Sequence, residues 1–81
     1  MTKEEISRAI KDAIMQVAPE IEEDEILPDE NLQRSLEIDS FDFLKVLTAL
    51  NETLGVDVPE ADYGKVTTLS KMTDYFDGKL R

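Results

Sequence analysis

Ser40 stands between Asp39 and Phe41, where a stretch rich in acids gives way to an apolar helical pattern. A serine hydroxyl at a helix start has two chemical uses. As an N-cap it accepts a hydrogen bond from the first amides of the helix. Left free and exposed, it is placed to carry a phosphodiester, because unpaired amides and the helix dipole stabilise an anion there. Asp39 can take the cap instead, which leaves Ser40 for the second use; Ser7, Ser35 and Ser70 are not expected to share this setting. Most other site chemistry is excluded by composition. With no Cys and no His there is no thiol nucleophile, no disulfide, no nitrogen or sulfur zinc site and no Ser/His/Asp relay. Carboxylates abound, but Glu22 to Glu30 offers no Gly for the sixth position of an EF-hand loop. A chain of 81 residues also lacks the walls that paired acid–base catalysis needs to exclude water. The reading is a non-enzymatic protein with no catalytic residues and no resident metal.

Charge narrows the partners. The 19 acidic and 9 basic side chains leave a net charge of −10, a field that repels phosphate backbones and anionic membrane surfaces and attracts basic protein patches. Nucleic acid is therefore not an expected partner. From Glu20 to Leu44 ten acids face Arg34 alone, so nearly all of the net charge sits in that stretch. The same stretch holds Ile21, Ile26, Leu27, Leu32, Leu36 and Ile38, too many apolar residues for a disordered tail, and an ordered loop wrapped over the core is predicted. No apolar run approaches the roughly 20 residues that span a bilayer, so a soluble, cytoplasmic monomer without stable membrane insertion is expected.

The elements that must position Ser40 follow from spacing. Thr2-Lys3-Glu4-Glu5 has the form of a capping box, and Ile6, Ile10, Ala13, Ile14 and Val17 recur at helical intervals up to Pro19, predicting a helix over about 3–17. A connection over 18–39 leads to a second helix over about 40–54, closed by Gly55. Pro59 opens a short third helix over about 59–63 that Gly64 should stop, and Thr67-Thr68 caps a last helix over about 68–77, with Leu69, Met72 and Phe76 inward and Gly78 as its end. No segment alternates with period 2. The expected fold is all-α: one domain, a small four-helix bundle with a long first connecting loop and a short third helix.

On the helix over 40–54, at about 100° per residue, Phe43, Leu44, Val46, Leu47, Leu50 and Leu54 fall on an inner arc and Asp42, Lys45, Thr48, Glu52 and Thr53 on an outer one. Phe41 is out of phase. Its ring falls among Lys45, Thr48 and Glu52, where an exposed aromatic is costly without a use. Phe41, Asp42, Lys45, Thr48 and Glu52 are thus the predicted partner-binding residues.

The run Leu36-Glu37-Ile38-Asp39-Ser40-Phe41-Asp42-Phe43-Leu44 resembles the attachment motif of acyl carrier proteins, an Asp-Ser followed by an apolar residue at the start of the second helix. Val58-Pro59-Glu60, Lys65-Val66-Thr67-Thr68-Leu69 and Asp74-Tyr75-Phe76 are similar to the family's later segments in order and spacing, so the resemblance spans nearly the whole chain. It implies a carrier domain whose Ser40 receives 4′-phosphopantetheine from coenzyme A and holds acyl groups as thioesters for fatty-acid, lipid or polyketide-type synthesis. It implies that Asp39 contacts magnesium during the transfer. The partners it implies are a phosphopantetheinyl transferase and acyl-loading, elongating and acyltransferase enzymes with basic docking patches. Three positions depart from the pattern: Glu37 stands where Gly is common, Phe41 where Leu is common, and Lys45 where an acid is usual. These point to a specialised carrier. Two other readings compete, an acidic helical interaction module without a prosthetic group and a carrier of aminoacyl or peptidyl groups.

Overall fold

Helix α1 spans Lys3–Val17 in a computed structural model that describes every residue from Met1 to Arg81. Its start is a closed capping box: the Thr2 hydroxyl oxygen accepts from the Glu5 N–H at 3.1 Å, and the Glu5 carboxylate accepts from the Thr2 N–H at 2.8 Å. Two amides that no helical carbonyl can reach are thereby satisfied. The same hydrogen bonds hold the Glu5 carboxyl below its ordinary range. Ile6, Ile10, Ala13 and Ile14 form the buried stripe that periodicity predicts.

After α1 the chain makes a 3-10 turn at Glu23–Glu25, a one-turn helix α2 at Leu32–Ser35, the long α3 at Ser40–Leu54, a 3-10 segment at Glu60–Lys65 and α4 at Leu69–Leu80. There is no strand; one isolated bridge joins Asn31 to Thr68. The fold is all-α, as the spacing predicts. Helix α1 lies against both α3 and α4. Ile6, Ile10, Val46, Leu50, Val66, Met72 and Phe76 lose all contact with solvent where these helices meet.

The acidic connection is ordered, and its apolar residues explain why. Ile21, Ile26, Leu32 and Ile38 insert into the core, while Glu22 to Glu25 and Asp29 to Glu30 stay in water. Two backbone bonds pin its second half to the start of α4: Leu32 N–H donates to Thr67 C=O at 2.9 Å, and Ser70 N–H donates to Pro28 C=O at 3.0 Å. Leu27 is the exception, left largely exposed beside Pro28.

Several boundaries differ from the sequence expectation. The stretch 18–39 is not plain loop, since it holds the 3-10 turn and α2, the latter capped by Asn31 accepting from Arg34 N–H at 3.0 Å. The third element is 3-10 in form, runs through Gly64 to Lys65, and uses Pro59 as its cap. It ends where Val66, fully buried, draws the chain into the core. Gly78 does not stop α4. Glycine inside a helix costs only about 1 kcal/mol, and the Arg81–Asp77 ion pair at 2.8 Å reinforces the turn that contains it. Gly55 does close α3, with φ of 71°, the left-handed form that suits glycine.

Candidate functional site

Asp39 takes the N-cap of α3: its carboxylate accepts from the Asp42 N–H at 2.8 Å. Ser40 is the first helical residue, exposed, and its hydroxyl has no hydrogen-bond partner in the protein. The turn before it is held from both sides. Ile38 is buried and its N–H donates to Gln33 C=O at 3.0 Å, while Glu37 between them takes a φ of 54°. No other non-glycine residue in the chain has a positive φ. A side chain in that region is strained by its own carbonyl, so the turn persists because Ile38 and the Asp39 cap fix the chain on its far side.

Ser70 differs from Ser40 in its surroundings. It too lies in the first turn of a helix, α4, yet it is half-buried and its hydroxyl donates to Asp29 at 3.4 Å. Ser7 lies inside α1 and Ser35 ends the short α2. Ser40 alone joins a helix start, full exposure and an unengaged hydroxyl.

Beside Ser40 runs a groove of about 200 Å³, lined by Gln33, Phe43, Leu44, Tyr63 and Thr67 together with Ser40 itself. It is bounded by α2, α3, the 3-10 segment and the lead-in to α4, so four separate stretches of chain build it.

On the outer face of α3, Phe41 is 76% exposed, and Lys45, Thr48 and Glu52 lie in the open with it. Phe43, two residues on, is buried. Asp42 is half-buried at the flank and pairs with Lys45 at 3.6 Å. The Thr48 hydroxyl donates back to Leu44 C=O at 3.0 Å. Leu44 is a correction: the inner arc placed it in the core, but it is exposed. It sits at the edge of the arc, between hollows bordered by Tyr63 on one side and by Gln16 and Val17 of α1 on the other, so no neighbour covers it. Leu44 and Phe41 together give this face an apolar centre. Its charges nearly cancel, whereas the exposed acids of 20–30 have one cationic partner, Arg8 on Glu23, which lowers the Glu23 carboxyl and raises the guanidinium. No helix of the chain is long and apolar enough to cross a membrane.

Residues 8–76 match the protein family described as the phosphopantetheine attachment site. The chain belongs to this family. Its prosthetic group is therefore 4′-phosphopantetheine, and family members are carriers rather than enzymes. The site fits that group: an exposed, unengaged hydroxyl at a helix start for the phosphodiester, with a groove beside it for the arm. Among relatives, an acyl carrier protein of Lactobacillus johnsonii is 36% identical over 75 residues, covering 93% of this chain and 92% of its own length. An acyl carrier protein of Rubrobacter xylanophilus is 31% identical over the same length, covering 93% and 91%. One from Thermosynechococcus vestitus is 26% identical over 80 residues, covering 99% and 98%. In this carrier the groove residues that sequence reasoning did not join to Ser40 are Gln33 and Tyr63, which no motif marks, and Thr67, which it read only as part of a helix cap and its lead-in; the folding of four segments brings them together.

Proposed function

We propose that Ser40 is the attachment serine and that the chain is an acyl carrier protein, holding acyl groups as thioesters and passing them between enzymes. The observation that carries this is the division of labour at the head of α3, where Asp39 caps the helix and the Ser40 hydroxyl is left free beside an open groove. When bound, the prosthetic group supplies a terminal thiol on a flexible arm, at which thioesters form. The chain supplies the nucleophilic hydroxyl and the surface that partners read. In the transferase, the Ser40 oxygen attacks the coenzyme A pyrophosphate and loses its proton to the enzyme's base. A serine–phosphorus bond forms, a phosphoanhydride bond breaks, and adenosine 3′,5′-bisphosphate leaves. Asp39, exposed next to Ser40, would be the residue of this chain to contact a magnesium ion held by the transferase, where the metal would neutralise the pyrophosphate.

Partner enzymes read the outer face of α3. Phe41 and Leu44 supply the apolar contact, with Asp42, Lys45, Thr48 and Glu52 around them. The acids of residues 20–30 steer basic patches of the transferase and of acyl-loading, elongating and acyltransferase enzymes toward it. Such docking is fast, weak and salt-sensitive. The carrier works as a cytoplasmic monomer in this reading. Intact mass after incubation with coenzyme A, magnesium and a broad-specificity phosphopantetheinyl transferase tests the assignment: one phosphopantetheine on the native chain, none on Ser40→Ala. A mass gain that survives in the variant removes Ser40 from the role. The thioester recovered from cells then identifies the cargo as acyl, aminoacyl or peptidyl.

A further inference from the structure

The row Leu44, Thr48 and Glu52 on α3 separates two hollows, and the one on the α1 side has a mixed character. It holds about 390 Å³ between the last turn of α1 and α3. Its middle is apolar and shallow: Val17 and Ala49, both half-buried, with Leu44 at the rim. Lys45 and Glu52 stand at its two ends. They are seven residues apart, which is two helical turns, so both lie on the same edge of α3, about 10 Å apart along its axis. Lys45 is 69% exposed and its one ion pair is the contact with Asp42 at 3.6 Å, while Glu52 is exposed and in no ion pair. Between Arg34 and Lys65, Lys45 is the only cationic side chain; every other charged residue of that span is an acid.

We propose that this hollow seats a helix of a partner enzyme, one that sets a carboxylate opposite Lys45, a cation opposite Glu52 and an apolar side chain between them, and that Lys45 is the residue that selects it. The inference rests on the reading of the outer face of α3 as the surface partners meet, and deepens it. Two neighbouring helices leave a trough between them, and a third helix fills such a trough by laying a ridge of side chains into it. The spacing matches as well, because a partner helix repeats its own side chains with the same two-turn period. Val17, Leu44 and Ala49 offer the apolar contact, and Ala49 is too short to hold a partner's backbone away. Charge then decides which helix is seated. The acids of residues 20–30 attract any basic surface from a distance, but a surface basic throughout sets a cation against Lys45 at contact range, and that like-charge pair disfavours it. A partner with a carboxylate at that one place gains there what a wholly basic partner loses. The acidic connection thus recruits, and Lys45 discriminates. A second copy of this chain could set its Glu52 against Lys45, but it would bring a net charge of −10 against −10.

The test titrates the full chain, followed by NMR, with two synthetic helical peptides of about 15 residues, stapled because free helices of that length are marginal in water. One carries Glu and Lys at the spacing of Lys45 and Glu52 with Leu midway; in the other the Glu is replaced by Lys. Salt at 0.15 M confines the comparison to charges within about 8 Å. The native chain should bind the mixed peptide about two- to fivefold more tightly than the basic one, the range open to a single exposed ion pair, with shifts at Val17, Lys45, Ala49 and Glu52. Lys45→Glu should reverse that order. Lys71→Glu, which changes the net charge equally from an exposed position on α4, should keep it. An order that stays the same in Lys45→Glu, or that reverses equally in Lys71→Glu, overturns the selective role of Lys45. No shift at the hollow with either peptide overturns the seat. Shifts there that grow with the concentration of the chain alone give the hollow to a second copy and overturn the partner helix. None of these readouts involves Ser40, and intact mass after transferase treatment reports on the attachment separately, so a failure of this proposal and a failure of the carrier reading are told apart.

Discussion

Two phenylalanines two positions apart on α3 have opposite surroundings, and they make the sharpest comparison at the scale of single residues. Phe43 is buried against the core, so Phe43→Ala should destabilise the domain by about 3–5 kcal/mol. Phe41 is 76% exposed, and Phe41→Ala should change stability by less than about 0.5 kcal/mol while slowing phosphopantetheine transfer and acyl exchange with partner enzymes. Denaturation midpoints and transfer rates of the two variants check both halves. Glu37 invites the converse experiment. Its left-handed backbone costs a residue with a side chain about 1–2 kcal/mol, and glycine would lose part of that advantage, about 0.4–1 kcal/mol, through greater freedom in the unfolded chain. Glu37→Gly should therefore stabilise by about 0.5–1 kcal/mol in urea denaturation, and Glu37→Ala should not. Strain of this kind was only half legible in the sequence. The absence of glycine at 37 is visible as a departure from the family pattern, but that the turn keeps its left-handed form regardless depends on Ile38 being anchored from the other side.

Among the elements, the 3-10 segment Glu60–Lys65, like the turn Glu23–Glu25, buries none of its own residues. Its tie to α4 is a hydrogen bond from the Tyr75 hydroxyl to the Asp62 carboxylate at 2.8 Å, which Lys65 supports at 3.4 Å from Asp62. Partial burial, and then the adjoining Asp62 carboxylate, push the Tyr75 phenol up from 10.0 to about 12. Because the folded value lies above the unfolded one, the bond's contribution is whole below pH 10 and is lost as pH rises toward 12. Urea midpoints measured across that alkaline window should fall, and should fall less in Tyr75→Phe. This segment also shows where pattern reading stops. Helices α1, α3 and α4 each bury a stripe of apolar residues that repeats at helical spacing, and their caps at Thr2, Asp39 and Thr68 lie where residue type places them. The 3-10 segment has no such stripe. It is set by its ends, Val58 and Val66, both buried, and a stop at Gly64 could not be distinguished from a run through it. Leu44 fails for a related reason: the wheel gives its angle, but whether an angle is covered depends on which neighbour stands opposite.

Across the whole molecule, charge and size meet in a simple way. The principal extents are 32 × 25 × 22 Å, and at 0.01 M salt the screening length is about 30 Å. Every acid of residues 20–44 then feels all the others, and Arg8 and Lys45 are too few to offset them. At 0.15 M the screening length falls to about 8 Å, a fraction of the domain's width. Thermal melting should rise by several degrees between these conditions, and millimolar magnesium should give part of the rise at low salt. A melting temperature unmoved by salt would mean that the exposed acids are too widely spread to repel one another appreciably.

Helix α1 lies between α3 and α4, and Lys3 reaches Asp74 in an ion pair at 3.1 Å. During synthesis the first helix to leave the ribosome thus waits for the last. Until α4 emerges, the buried stripe of α1 lacks one of the two helices it packs against, and the 28–32 stretch lacks the Thr67 and Ser70 groups that pin it. An interrupted product that stops between Leu44 and α4 would contain Ser40 and its entire flanking motif without the frame that aims the hydroxyl. With Ser40 as the proposed attachment point, a chain truncated before α4 should be a poorer substrate for a transferase than the full chain, although both carry the motif.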